Sequence, residues 1–168
     1  MIYKNLEKLA VKKEDENWRF RSFLKFYDGM TDKELDSLVF KIAEEVGFAV
    51  DCTKCGRCCE KLKPMCSEED QQRLATELSI AIEQLREQYL EYDKSDDEPG
   101  WRIKNSPCPF LQDKKCTVYE HRPDNCRQYP YLHKPDFCYR TWGMIERTFT
   151  CPIVFQVMEK LKEKLNFH

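Results

Sequence analysis

Cys52-Thr53-Lys54-Cys55-Gly56-Arg57-Cys58-Cys59 is the stretch of this chain best equipped for chemistry. Two cysteines separated by two residues can set both sulfurs on one metal, because the chain reverses between them and its amides turn toward the thiolates. Gly56, directly after Cys55, suits such a turn, which often needs a positive φ or a close backbone approach. Cys58, at the same interval, extends the ligand set. Four thiolates hold Zn²⁺ at about 2.3 Å in a tetrahedron, and four also hold an iron–sulfur cluster. The bacterial ferredoxin run begins the same way. Here Cys59 follows at once and no Cys-Pro stands three residues later, so a ferredoxin fits poorly. Adjacent Cys58 and Cys59 are not expected to point in one direction, which leaves one of them for a second centre or without a metal.

A second set begins at Pro107-Cys108-Pro109-Phe110-Leu111 and continues with Cys116, Val118-Tyr119-Glu120-His121-Arg122-Pro123 and Cys126-Arg127-Gln128-Tyr129-Pro130. Cys138 and Cys151-Pro152 come after it. Together the two stretches resemble the CxxCxxCC cysteine-cluster family, described by zinc or iron chelation. The first motif is C-x2-C-G-x-C-C; the second, C-x-[VI]-Y-E-x-R-P-x-x-C-R-x-[YF]-P, is matched at every fixed position from Cys116 to Pro130. The resemblance covers roughly residues 52–152 and leaves the first fifty outside. It implicates Cys52, Cys55, Cys58, Cys59, Cys108, Cys116 and Cys126 as metal ligands. It also implies a later cysteine, for which Cys151 is the choice and Cys138 the competitor. Eight thiolates would suit two four-ligand sites, or one site plus cysteines with another job. Cys66 looks peculiar to this chain. A related cluster in flagellin lysine methylases keeps methyl transfer in view by analogy alone.

The compartment decides what such cysteines are for. Ten of them in 168 residues would read as a disulfide framework in an exported chain. In a reducing cytosol the same residues more often hold metal or do redox chemistry. The stretch from Met1 to Trp18 has no apolar signal core and no small-residue cleavage site, so a cytoplasmic protein is expected. No apolar run approaches the ~18 residues of a membrane span, so no membrane partner is expected. With 28 Lys and Arg against 30 Asp and Glu, the net charge of −2 gives no support to a nucleic-acid partner. Hydrophobic residues at 41% suffice for a core and exclude wholesale disorder. All-sulfur ligation suits zinc and iron–sulfur alike; the number of thiolates tilts the expectation toward iron–sulfur. Lys54, Arg57, Arg122 and Arg127 stand close in sequence to these cysteines. Arg122 and Arg127 are expected to bond sulfur or to pair with Glu120 around an anionic site.

The elements that must position these groups are mostly helical. Residues 1–50 read as an N-terminal helical annex and a surface for a protein partner. Phe20, Phe23, Leu24 and Tyr27 form one stripe, and a second helix carries Leu35, Leu38, Val39, Ile42 and Val46 behind a Thr31/Glu34 capping box. Residues 51–152 read as the cysteine-cluster domain. Within it, 51–66 is expected to be a loop or knuckle, and Ser67 caps a helix with Glu68, Glu69 and Asp70 in its first turn. Ser79 is expected to cap a second helix carrying Ile82, Leu85, Tyr89 and Leu90. An acidic loop over 93–100 follows, then two short strands around Gln112-Asp113-Lys114-Lys115, and a short helical piece between Pro123 and Pro130. Residues 153–168 read as an amphipathic helix packed on the domain, with Val154, Val157, Met158, Leu161 and Leu165 inward and charges outward. The expected class is mainly α, a single domain with a small irregular or β cysteine-rich core. His121, His133 and His168 are scattered, with His121 expected at the surface. No phosphate loop, G-x-S-x-G or H-E-x-x-H is present, so no catalytic residue is assigned.

Overall fold

Apolar residues recurring at three and four positions build helices at both ends of the chain, and short strands gather between them. The computed structural model describes residues 5–95 and 98–168. In chain order these form α1 (Leu6–Phe26), α2 (Asp32–Phe48), α3 (Cys52–Cys55), α4 (Arg57–Lys61), α5 (Glu68–Leu78), α6 (Ile82–Tyr89), β1 (Leu90–Asp93) and β2 (Gly100–Ile103). Then follow β3 (Leu111–Gln112), β4 (Lys115–Cys116), a 3-10 turn (Tyr119–His121), α7 (Asp124–Gln128), α8 (Phe137–Thr148) and α9 (Pro152–Lys164). This is the mainly helical class with small antiparallel sheets that the sequence predicts. Contacts divide the chain into two units, Met1–Asp51 with Pro130–His168, and Cys52–Tyr129. Among the described residues no helix is long and apolar enough to cross a membrane.

In the first unit, α1 and α2 each lie against both α8 and α9. Phe20, Ile42, Phe137, Met144, Ile145, Met158 and Leu161 are buried in it. The Thr31/Glu34 capping box forms as expected: Thr31 Oγ1 accepts from the Glu34 amide at 3.3 Å, and Glu34 Oε2 accepts from the Thr31 amide at 2.7 Å. The expected apolar face of α9 is buried, but one charge is buried with it. Lys162 is 4% exposed and pairs with Glu16 at 2.8 Å and Glu159 at 2.6 Å. Outward charges are thus not the whole pattern, because two carboxylates make an inward lysine tolerable.

α8 follows Asp136, a residue type that commonly caps helices, but here the cap is not made locally. Asp136 sits in the left-handed region at φ 60 and makes no side-chain cap. Asp36 of α2 does the capping instead, its carboxylate accepting from the amides of Asp136 at 2.8 Å and Phe137 at 2.9 Å. Asp36→Ala is expected to cost about 1–3 kcal/mol, since two amide donors at a buried helix end lose their acceptor. A thermal melt should fall by several degrees, at about 2–4 °C per kcal/mol for a chain of this size. An unchanged melting temperature would refute the capping role.

In the second unit α5 and α6 pack together, and β1 pairs antiparallel with β2 from Leu90↔Ile103 to Asp93↔Gly100. Two sequence expectations are corrected here. Ser79 does not begin α6. It ends α5 in the left-handed region at φ 54, and α6 starts after Ala81. Leu90 leaves the helix and enters β1, because its partner strand carries Ile103 into the same core. The acidic loop 93–100 closes this hairpin; Asp96 and Asp97 lie outside the described residues. The two strands expected around residues 112–115 form, joined by Asp113 at φ 49 and Lys114 at φ 65, the paired left-handed residues of a two-residue hairpin turn. Leu74, Leu85, Leu90, Ile103, Phe110 and Val118 form the core, with Cys66 among them.

Candidate metal centre

The knuckle is built from two short helical segments rather than the expected loop. Cys52 and Cys55 end the single turn of α3, and α4 carries Cys58 and Cys59. Between them Gly56 sits at φ 64, the positive φ its sequence position predicts. A Cβ there would also stand 3.3 Å from the Lys114 Cβ, so the β3–β4 turn rests directly on the knuckle. The sulfurs of Cys58 and Cys59 lie 4.0 Å apart. Divergence of this pair is therefore corrected. That separation is close to the roughly 3.8 Å edge of a tetrahedron with sulfur about 2.3 Å from its centre.

The second stretch is tied to the first through the backbone. The Cys108 amide donates to the Cys59 carbonyl at 2.7 Å, and the Leu111 amide donates to the Cys108 carbonyl at 3.0 Å. Cys116 lies opposite Leu111 in the β3–β4 pair. Cys126 is carried by α7, whose start is held by a carboxylate from α5. Asp70, 2% exposed, accepts from the Ser67 amide and the Asp124 amide, each at 3.0 Å, and pairs with Arg73. Sequence reasoning placed Asp70 in a favourable first turn and missed this second role. An Asp three residues after the Ser67 cap was the available signal, since it completes a capping box.

The thiols share one electrostatic environment. A hydrogen bond from Cys58 lowers the Cys59 thiol to about 7, with the Arg122 charge helping and burial opposing. Burial pushes Cys108 up to about 11 and Cys126 up to about 12, with the neighbouring thiols adding to the rise. Cys116 rises in the same direction, again chiefly through burial. Arg122 opposes the rise at both Cys116 and Cys126, so one cation is felt by three thiols. Its guanidinium lies 3.7 Å from the Tyr119 ring centroid and donates to the Tyr119 carbonyl. Arg127 donates to the carbonyls of Arg122, at 3.2 Å, and Glu120. The expected bonds to sulfur and to the Glu120 carboxylate are replaced by these carbonyl bonds, which fold residues 119–127 into a tight turn. His121 sits 3.2 Å from Glu77 with its side chain 43% exposed, in keeping with the surface position expected of it.

Cys52 is exposed, and Cys55 is half-buried. Cys138 and Cys151 belong to the other unit: Cys138 on α8, within electrostatic reach of Asp32, Lys25 and Arg21, and Cys151 buried at the start of α9. None of the ten cysteines is in a disulfide. Among the described residues, no three Cys, His, Asp or Glu groups stand close enough to hold one ion as they are placed. The arrangement is one of converging thiols, not a finished coordination polyhedron. As a donor set it fits a thiophilic metal: sulfur only, reduced, partly shielded from water, with a cation alongside.

The direction of these shifts sets a pH dependence for the metal-free chain. Cys108 and Cys126 stay protonated in the folded state after the unfolded chain has ionised near pH 9. Their contribution to stability is complete below pH 9 and is lost as pH rises through about 11 and 12. Bound metal makes stability rise with pH below pH 9, because the unfolded chain then carries thiol protons that the metal-bound fold has lost. Denaturant midpoints should therefore climb toward pH 9 with metal bound, and fall above pH 9 without it.

A family model described as "Putative zinc- or iron-chelating domain" matches residues 51–152. An uncharacterized protein of Methanocaldococcus jannaschii, MJ0661, is 33% identical over 91 residues, covering 51% of this chain. The match spans 46% of that relative's own length. No solved structure matches the chain.

Proposed function

The chain belongs to the CxxCxxCC family, and from that premise we propose that its cysteine cluster chelates iron as an iron–sulfur centre. The ligands are drawn from Cys52, Cys55, Cys58, Cys59, Cys108, Cys116 and Cys126; Cys151, which the family resemblance implies as an eighth, belongs to the other unit and is not among them. One observation carries the reading. The Cys108 amide bonds the Cys59 carbonyl, so the two sequence-distant motifs meet, and the thiols of Cys108, Cys116 and Cys126 lie within electrostatic reach of Cys59. Eight of the ten cysteines fall in Cys52–Tyr129, twice what one tetrahedral ion takes, which supports a polynuclear centre over a single zinc.

Such a centre would supply one-electron chemistry and a cross-link between the motifs. The chain's own residues do the rest. Gly56, at positive φ, joins α3 to α4 against the β3–β4 turn, Arg122 offsets thiolate charge, and Phe110 and Val118 belong to the core on which Cys108 and Cys116 pack. A reducing cytoplasmic setting completes the reading. Anaerobic purification tests it, with iron, zinc and acid-labile sulfide measured beside a visible spectrum. Brown protein containing iron and sulfide is the expected result. Colourless protein with stoichiometric zinc overturns the cluster and keeps chelation; absence of both metals overturns chelation.

A further inference from the structure

We infer that Cys66 is a ligand of the same centre, so that Cys52–Tyr129 supplies eight thiolates without help from Cys151. The inference rests on the chelation reading above and adds a residue that lies outside both motifs. Cys66 belongs to the buried cluster against which the half-buried Cys108 and Cys116 pack, and its sulfur lies within electrostatic reach of Cys108 and Cys126. A carboxylate links the two backbone segments. Asp70 holds the amide of Ser67, next to Cys66, and the amide of Asp124, two residues before Cys126. One side chain therefore ties the backbone beside Cys66 to the start of α7, which carries Cys126.

A buried cysteine serving only as a small apolar side chain needs no further fixing. The backbone of Cys66 is held from both sides. Its amide donates to the Trp101 carbonyl at 2.8 Å, and its carbonyl accepts from Gln71 Nε2 at 3.1 Å. Gln71 is 1% exposed and is held in turn by Arg86, whose Nε donates to Gln71 Oε1 at 2.7 Å. Arg86 also lies 4.9 Å from the Trp101 ring, which closes the loop of contacts on the strand that Cys66 bonds. Such fixing suits a sulfur that must meet others at a set distance. Cys66 joins the seven motif cysteines to make eight thiolates within Cys52–Tyr129.

The test uses the full metal-stripped chain titrated with cobalt(II), read by its sulfur-to-metal charge-transfer band and by stoichiometry. Cys66→Ser is expected to lose one thiolate's share of the band and at least on the order of 100-fold in affinity, since even outer partners of a metal site cost about 10–100-fold. Cys151→Ser is expected to match the wild type. Should Cys66→Ser fail to fold, Cys66→Ala keeps an apolar side chain against Leu74, Leu85 and Ile103 and carries the same measurement. Wild-type binding by either folded Cys66 variant overturns the inference and leaves chelation standing. A wild-type chain that takes up no cobalt removes chelation itself, and the inference with it.

Discussion

Chelating the metal is expected to destabilise Cys52–Tyr129 more than any single core substitution would. Apparent binding free energies of about 10–16 kcal/mol accompany structural zinc in small fingers at neutral pH. A unit with a single modest core has little else of that size. The core of Leu74, Leu85, Ile103 and Phe110 does not extend through the knuckle, where α3 and α4 contain no buried residue. Hydrogen exchange before and after chelation separates the units. The amides of Leu62, Cys108 and Thr117, bonded to the carbonyls of Cys58, Cys59 and Phe110, should lose protection. Those of α1, α2, α8 and α9 should keep theirs, because these helices have their own core. Equal protection in both samples would contradict a structural role for the metal.

The second large effect belongs to Asp70→Ala. Removing one partner of a buried ion pair costs about 3–5 kcal/mol. The Arg73 side chain is 34% exposed and recovers some solvation, which lowers the expectation to about 2–3 kcal/mol. The substitution also frees the starts of both α5 and α7, and with them the placement of Cys126. A denaturant midpoint measured without metal reports the first effect. Weakened metal uptake in the same variant, beyond that of Asp36→Ala, reports the second, and equal uptake by the two variants would refute the link from Asp70 to Cys126.

What the sequence made legible was local. The Thr31 and Ser67 caps, the Asp113-Lys114 turn, the apolar face of α9 and the positive φ of Gly56 each depend on residues within a few positions of one another. What it hid was carried by distant partners. The start of α8 is capped by Asp36, a hundred residues upstream, while Asp136 at the cap position makes no cap of its own. Leu90 continues a helical pattern and becomes a strand residue because Ile103 arrives opposite it from β2. Lys162 reads as a solvated lysine until Glu16 of α1 comes beside it. At the centre, spacing marked the motif cysteines, whereas the sharing of Arg122 among three thiols and the tie from Asp70 to α7 appear only once the chain is folded.

A double-mutant cycle on metal content tests whether the two cysteine stretches serve one centre. Cys59→Ser, Cys108→Ser and the double variant are purified anaerobically, and metal per chain and affinity are measured for each. With a shared centre, either single substitution removes the same metal and the double variant loses little more, the non-additivity of residues that act together. Independent losses that sum in the double variant would mean two separate sites and would contradict the account.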